Sequence, residues 1–304
     1  MKKLLLIFAV SQIVLQLVAA PRVAKKAQSR VVASFPGVEV ISIQDQPMMM
    51  SGALFRHFDP SVKPRVEGRY RASLNVFLIR DGKNGKNFLI DAGYGKAESG
   101  LLKQLAGLGV KPGDISAVFI THIHPDHVGG LTSPDGKAVF PNAAVYIARQ
   151  EYDAWRKDSG RRNLSVHLEP YGKRIVLLDY DREVVPYGLT PLYYPGHTPG
   201  HTVYRMKIPQ PGKAEKNIYF VGDIVHAAAL QIPQPEYCAR FDMDPETAVK
   251  SRRELLLNAD HWFGAHIPFP GGIRIIRKQW PSGESSFTFQ MLSGTVSATD
   301  RAAR

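Results

Sequence analysis

The chain has 304 residues, of which 44% are hydrophobic and 22% are charged. This composition suits one large domain or two small ones, and it excludes an intrinsically disordered chain. The formal net charge of +12 favours anionic substrates or an anionic envelope. The basic residues are scattered and are not interleaved with aromatic ones, so the sequence does not predict nucleic-acid binding. Cys238 is the only cysteine, which excludes an internal disulfide.

The first twenty residues have the features of a signal peptide. Two lysines precede the apolar stretch 4–20, which ends in the small residues Val18-Ala19-Ala20. An uncleaved anchor is the alternative, but a stretch of this length with two glutamines is short for a membrane span. We therefore expect removal of residues 1–20 and a periplasmic or secreted protein with no stable membrane span. Residues 21–34 are predicted to be a loose lead-in.

Strands and helices alternate along the rest of the chain. The residue patterns predict strands at 38–43, 74–80, 87–90, 117–120, 144–148, 189–194, 203–208 and 218–221. Helices are predicted at 99–108, from about 150, and at 244–258, where Asp244 is suited to cap the helix and Pro245 to its first turn. This order predicts layered sheets with helices outside, and residues 291–304 are expected to form a flexible tail.

Residues 44–58 have no helical or strand period, yet they include Met48, Met49, Met50 and Phe55. Loops are usually polar, so these side chains need a surface to cover. One interpretation is packing on the core or at the contact of a homodimer. The other is a lid that lines an apolar pocket, because methionine adapts to substrates of varied shape. In that case these four residues are candidate substrate-facing residues.

The strongest chemical signal is the run His122-Ile123-His124-Pro125-Asp126-His127, which follows a predicted strand. In extended backbone, His122 and His124 point to the same side and can hold one ion together. Pro125 turns the chain, so Asp126 and His127 can aim at a neighbouring position. A polar loop with chance histidines is the alternative, but so many metal-binding side chains make poor core or strand material.

Three further candidate ligands lie next to predicted strands: His201, Asp223 and His266. Together with the first run they make a set of five histidines and two aspartates. Nitrogen and oxygen ligands of this kind suit zinc, and also manganese, cobalt or iron.

At these positions the sequence resembles the metallo-β-lactamase superfamily over roughly residues 36–290. The resemblance lies in the H-x-H-x-D-H run, in Gly196-His197-Thr198-Pro199-Gly200-His201, in Gly222-Asp223, in the His266 segment and in the early Asp91-Ala92-Gly93 turn. Within the superfamily, the chain looks most like the methyl parathion hydrolase and acyl-homoserine-lactone lactonase group. The resemblance implies an α/β fold, a four-layer αββα sandwich, formed by a hydrolase domain at residues 35–290.

The resemblance also implies a role for each candidate ligand. His122, His124 and His201 would hold the first of two divalent ions, most simply zinc. Asp126, His127 and His266 would hold the second, with Asp223 bridging both. A hydroxide between the ions would attack a small lactone or phosphoester substrate. Asp126 and Asp223 are then the candidate catalytic residues.

Several rival functions stay open. A metal-binding protein of the same fold without activity is one, although all seven ligand positions are filled. A β-lactamase-like or thioester hydrolase is another. Asp223 stands where several β-lactamases carry cysteine, and the 38 residues after His266 are too few for the helical domain of glyoxalase II enzymes. A redox or sulfur-transfer enzyme is disfavoured by the unaltered ligand set.

Two more histidines lie close to this run of motifs. His197 precedes His201 by four residues, and we expect it to support the site rather than ligate an ion. His226 follows Asp223 by three, where some lactonases have a tyrosine that contacts substrate, so it is a further candidate substrate-facing residue.

Overall fold

A computed structural model describes residues 28–62, 66–157, 163–209, 216–279 and 283–297. The strands in this part of the chain are β1 (Ser29–Phe35), β2 (Val38–Ser51), β3 (Phe55–His57), β4 (Arg69–Asp81), β5 (Lys86–Ile90), β6 (Ile115–Phe119), β7 (Ala144–Ala148), β8 (Ile175–Leu178), β9 (Leu189–Tyr193), β10 (Thr202–Ile208), β11 (Lys216–Gly222), β12 (Tyr237–Ala239), β13 (His261–Gly264), β14 (Gly272–Gln279), β15 (Ser285–Met291) and β16 (Val296–Ser297). The α-helices are α1 (Leu101–Gly107), α2 (Pro125–Val128), α3 (Arg149–Lys157), α4 (Asn163–His167), α5 (Ala228–Gln231) and α6 (Pro245–Asn258).

The strands form two large mixed sheets and one small one. The larger sheet has the order β16-β1-β2-β4-β5-β6-β7-β8, and the second has the order β15-β14-β13-β11-β10-β9. Strands β5 to β8 run parallel, whereas β2, β4 and β5 form antiparallel pairs. Strands β3 and β12 pair separately, next to the end of β2.

Three buried apolar clusters separate four layers. The central cluster joins the inner faces of the two large sheets, with Phe77 and Phe119 on one side and Phe220 and Phe263 on the other. A second cluster packs α1, α3 and α4 on the outer face of the larger sheet. A third packs α5 and α6 on the second sheet, around the fully buried Trp262. This arrangement confirms the predicted αββα sandwich.

The best-defined local predictions have counterparts in the structure. The predicted strands 74–80 and 87–90 lie in β4 and β5, which form a hairpin, and the Asp81 side chain accepts hydrogen bonds from backbone N–H groups of the turn. Helix α6 begins at Pro245, where the Asp244 side chain accepts a hydrogen bond from the N–H of Thr247. Such a cap satisfies one of the N–H groups that a helix start leaves without a partner.

The two ends of the domain are more ordered than the sequence predicted. Residues 29–34 of the predicted lead-in belong to β1, which pairs antiparallel with β2. Residues 296–297 of the predicted tail form β16, which pairs parallel with β1. Both segments are polar or short, so local pattern gave no sign of this pairing. No helix in the described ranges is long and apolar enough to cross a bilayer, and residues 1–20 lie outside those ranges.

The structure corrects the expectation that residues 44–58 form a loop, and a substrate-facing role for their apolar side chains stays a prediction. Strand β2 continues to Ser51 and pairs along its whole length with β4, with a register shift between Gln44 and Gln46. That bulge breaks the alternation of side chains, which is why the segment lacked a strand period. Met50 and Phe55 are buried in an apolar cluster with Ala227 and Leu230, and Met48 packs against it, whereas Met49 is half-buried.

Candidate metal centre

The candidate ligands gather at one end of the two large sheets, each just beyond the end of a strand or in a loop between strands. His122 and His124 follow β6, Asp126 and His127 lie in α2, His197 lies between β9 and β10, Asp223 follows β11, and His266 follows β13. The sandwich therefore brings together side chains that are up to 144 residues apart in the chain.

The first ligand group consists of His122, His124, His197 and Asp223. The Nε2 atom of His197 lies 3.2 Å from Nε2 of His122 and 2.8 Å from Nδ1 of His124, and the last two atoms are 3.0 Å apart. Ligands about 2.05 Å from a tetrahedral zinc ion lie about 3.3 Å from one another. The three ring nitrogens thus form a triangle close to the size of one face of such a site.

The second ligand group consists of Asp126, His127 and His266. The Oδ2 atom of Asp126 lies 3.3 Å from Nε2 of His266 and 3.8 Å from Nε2 of His127. Asp223 lies between the two groups: its Oδ1 is 3.2 Å from Nε2 of His127, and its Oδ2 is 3.2 Å from Nε2 of His266 and 3.3 Å from Nε2 of His197. One carboxylate is thus shared by both groups.

The structure corrects the assignment of His201 as a ligand of the first ion. Both of its ring nitrogens are already used: Nδ1 donates to the carbonyl of Tyr194 at 3.2 Å, and Nε2 accepts from the N–H of Asp223 at 3.0 Å. His197, which we expected to play a supporting part, takes its place in the first ligand group. Gly222, at a φ of 48°, leaves room for the His201 ring, because a Cβ there would lie 2.6 Å from its Nε2.

Buried carboxylates fix the orientation of two of the ligand rings. Asp242 accepts from Nδ1 of His197 at 2.8 Å, and Asp91 accepts from Nδ1 of His127 at 2.8 Å. Each bond holds the proton on Nδ1 and leaves Nε2 free to ligate a cation. His266 is oriented similarly by the backbone carbonyl of Ser73, 3.1 Å from its Nδ1.

The electrostatics of the two groups differ. Burial lowers the pKa of His124 to about 3, and the neighbouring His197 adds to the effect. In the second group, burial opposes the charge on His266, but Asp223 and Asp126 outweigh it and raise the pKa to about 10. Burial would raise the pKa of Asp223 itself, but the surrounding histidines, His266 first among them, hold it well below its usual value. The centre therefore attracts positive charge.

Unpartnered atoms show that the residues fit metal ions. Nε2 of His127 and Oδ1 of Asp223 are buried and have no hydrogen-bond partner within the described part of the chain. Buried polar atoms of this kind are rare unless a ligand or ion satisfies them. The nitrogen and oxygen donors suit zinc and other first-row divalent ions, and two adjacent groups that share a carboxylate suit a pair of them.

His226 lies at the edge of this centre, on the side of Asp223. Its Nε2 is 3.1 Å from Oδ2 of Asp223, and its ring stacks on that of His266 at 5.1 Å between centroids. Its Nδ1 is buried without a hydrogen-bond partner among the described residues, whereas Nε2 faces the Asp223 carboxylate. The ring of Phe241 lies 5.3 Å from the ring of His226. Phe241 and Met243 are 40% and 41% exposed, so two apolar side chains that flank Asp242 in sequence face solvent, the first of them beside His226.

Sequence reasoning missed three buried acidic residues around the centre. Asp242 lies in a loop without a periodic pattern, and Glu151 lies in the first turn of α3, where a surface position was the ordinary expectation. Asp91 follows a strand in the Asp91-Ala92-Gly93 turn, which the resemblance included without a role. Its φ of 61° is uncommon for a residue other than glycine.

The fold and the paired ligand groups define a metal-binding αββα protein, and the comparisons agree. Residues 70–260 match the Metallo-beta-lactamase superfamily. The chain belongs to this superfamily.

Related proteins have been described under more specific names. The chain is 33% identical over 122 residues to an N-acyl homoserine lactonase from Bacillus thuringiensis, covering 38% of this chain and 42% of that protein. It is 32% identical over 125 residues to the N-acyl homoserine lactonase AttM from Azorhizobium caulinodans, covering 38% and 45%. The matched region thus spans less than half the length of these curated relatives.

Solved structures match over a larger share of the chain. The hydrolase AbOPH of the beta lactamase superfamily superposes with a TM-score of 0.68 at 25% identity, covering 88% of this chain and 99% of that one. The dizinc quorum-quenching lactonase AidC superposes with a TM-score of 0.68 at 22% identity, covering 89% and 98%. At this identity the second comparison supports the fold alone.

Proposed function

We propose that the protein hydrolyses lactones, with N-acyl homoserine lactones as the leading substrate class, and that it uses two divalent metal ions, zinc first among them. The observation that carries the proposal is Asp223, whose carboxylate lies within 3.3 Å of ring nitrogens from both ligand groups. The names of the curated relatives give the substrate class. A binding protein without activity is disfavoured because both ligand groups are complete.

The chemistry follows from the arrangement of this chain's residues. When bound, a pair of divalent ions lowers the pKa of water to near 7 and stabilises the charge that develops on a carbonyl oxygen. The side chain of Asp126 is 27% exposed and His124 is partly exposed, whereas the other ligand residues are buried, so the centre opens to solvent beside these two residues. We place the substrate at this opening.

His226 would contact the substrate. Burial lowers its pKa, so the ring is neutral at pH 7 and offers one N–H donor and one acceptor. Since Nδ1 lacks a partner among the described residues, a polar atom of the substrate would satisfy it. His226 is thus the candidate substrate-facing residue that the sequence placed three residues after Asp223.

Phe241 and Met243 would receive the apolar part of the substrate. Large exposed apolar side chains next to a buried polar centre are typical of a binding site. An acyl chain on the lactone would cover them, whereas a small polar ester would not. This favours lactones with an acyl chain over short esters.

A substrate panel tests the proposal. Zinc-loaded protein is incubated with butanoyl-, hexanoyl- and decanoyl-homoserine lactone, an aryl phosphotriester, an aryl ester and a β-lactam, and the products are measured by chromatography. We expect the acyl lactones to have the highest kcat/KM. Asp223→Ala is the control for contaminating activity and should lose hydrolysis together with metal. Hydrolysis of the phosphotriester alone, or of no lactone at full metal content, would reject lactonase activity.

We also propose that the protein is exported and loses its first twenty residues. The support is the positively charged start and the apolar stretch at 4–20. Mass spectrometry of protein from the periplasm or medium should give a chain that starts near residue 21. A soluble cytoplasmic protein that keeps Met1 would contradict this.

A further inference from the structure

Glu151 is a fully buried carboxylate that the chemistry of the two ligand groups does not use. It accepts four hydrogen bonds, two on each oxygen. Its Oε1 accepts from the N–H of Ile123 at 2.9 Å and from Nε1 of Trp155 at 2.7 Å. Its Oε2 accepts from the hydroxyl of Thr198 at 2.8 Å and from the N–H of Gly200 at 2.9 Å. A carboxylate has about four acceptor positions, so its capacity is filled.

Three of the four donors belong to the segments that carry the first ligand group, and the fourth, Trp155, lies in α3 with Glu151 itself. Ile123 lies between His122 and His124, and Thr198 directly follows His197. One carboxylate thus joins two loops that are 75 residues apart in the chain. The connection is direct, because the backbone N–H of Ile123 in one loop and that of Gly200 in the other both donate to the Glu151 carboxylate.

The packing around Glu151 leaves little freedom. A Cβ at Gly200 would collide with the backbone N of Glu151, so the loop lies directly against the first turn of α3. Trp155, one helical turn further along α3, contacts the ring of His124 edge-on at 5.7 Å between centroids. Helix α3 therefore fixes the loop of His197 and the ring of His124 from the same side.

We propose that Glu151 is a positioning residue that sets the spacing between the two loops of the first ligand group. The triangle of ring nitrogens in that group has sides of 2.8 to 3.2 Å, which requires the two loops to keep a fixed separation. Glu151 supplies that constraint without touching an ion or the substrate. The inference rests on the proposed function only in assuming that the first ligand group binds metal.

Glu151→Gln tests the proposal, because the amide has the same shape but replaces one acceptor oxygen with a donor NH₂ group. The two dissociation constants for zinc are measured by competition with a chromophoric chelator. We expect the ion of the first ligand group to bind about 10- to 100-fold more weakly, as is typical when the partner of a metal ligand is lost. The other ion should bind as in the wild type. The weakened ion is identified as the one that His197→Gln also loses.

Asp81→Asn is the matched control. Asp81 is another buried carboxylate, but its side chain caps Lys83 and Asn84 in the turn between β4 and β5. Its loss should lower the melting temperature and leave both dissociation constants unchanged. If Glu151→Gln binds both ions like the wild type, or weakens both equally, the proposal is wrong.

Thr198→Val keeps the proposal testable if Glu151→Gln does not fold. It removes a single donor to Oε2, so the same ion should bind more weakly by a smaller factor, and unchanged binding would overturn the proposal. If the wild-type protein binds no metal, the proposed function itself is wrong. If it binds two ions and the Glu151 and Thr198 variants do the same with equal affinity, only the role of Glu151 fails.

Discussion

Replacing His197 and His201 one at a time by glutamine distinguishes a metal ligand from a structural histidine. The two residues stand four apart in the same loop, and both are buried. Nε2 of His197 points to the other histidines of the first ligand group, whereas Nε2 of His201 accepts a backbone N–H. The same substitution therefore has different consequences at the two positions.

The expected magnitudes follow from these contacts. His197→Gln removes one of the three ring nitrogens of the first ligand group. Loss of a ligand's partner alone weakens metal binding about 10- to 100-fold, so loss of the ligand should cost at least about 100-fold, or about 2.8 kcal/mol. In His201→Gln, the amide oxygen can still accept from the N–H of Asp223. At most one hydrogen bond of about 0.5–1.5 kcal/mol is weakened.

The assay is elemental analysis after dialysis against a weak chelator, together with thermal unfolding. We expect one ion per chain in His197→Gln and two in His201→Gln. The melting temperature of the metal-loaded His201 variant should fall by only a few degrees, since about 1 kcal/mol shifts a large domain by about 2–4 °C. Two ions retained in His197→Gln, with one lost in His201→Gln, would refute the reassignment.

Three further predictions concern residues around the centre. Asp242→Asn removes the charge that orients His197, so it should weaken the binding of one metal ion about 10- to 100-fold in chelator competition. Unchanged affinity for both ions would contradict this prediction. Phe241→Ala should raise KM about fivefold for decanoyl- but not butanoyl-homoserine lactone, because about 1 kcal/mol of apolar contact with the long acyl chain is lost. An equal effect on both substrates would reject the proposed acyl site. In metal-free protein, Asp223 and Asp126 raise the pKa of His266 from 6.5 to about 10, against the effect of burial. The contribution of His266 to folding stability is therefore complete below pH 6.5 and is lost as the pH rises toward 10. Thermal unfolding of the apoprotein should show this loss, and a melting temperature that rises over the same interval would contradict it.

The sequence predicted the part of the site whose geometry depends only on residues that are neighbours in the chain. His122 and His124 alternate in extended backbone, and Pro125 ends that run, so the two directions of the H-x-H-x-D-H motif follow from neighbouring residues. Asp223 was predictable because it follows the predicted strand at 218–221, and His266 was implied by the resemblance of its segment. The alternation of strands and helices predicted layered sheets with helices outside, and the family resemblance implied the four-layer order.

What could not be predicted depends on contacts between distant segments. His197 and His201 are equally plausible ligands by composition. Gly196 precedes His197 at a φ of 118°, and Gly200, between the two histidines, packs directly on α3. These contacts between distant segments position the loop so that the His197 ring faces the other histidines. Asp242 reaches His197 from a loop 45 residues later, with no pattern to mark it.

The methionine segment shows a second limit. A single bulge after Gln44 shifts the side-chain alternation of β2, so a strand that pairs as far as Ser51 lacked a strand pattern in the sequence. Two exposed apolar residues, Phe241 and Met243, flank the unpredicted Asp242, and no pattern in the sequence marked them.

Titration of lactone hydrolysis with zinc tests the central claim most directly. Apoprotein is prepared by chelation, and the rate of hexanoyl-homoserine lactone hydrolysis is followed as zinc is added in fractions of an equivalent. Because the two ligand groups share Asp223, we expect activity to rise until two equivalents are bound and then to level off. Full activity at one equivalent, or binding of two equivalents without lactone hydrolysis, would contradict a dinuclear lactonase.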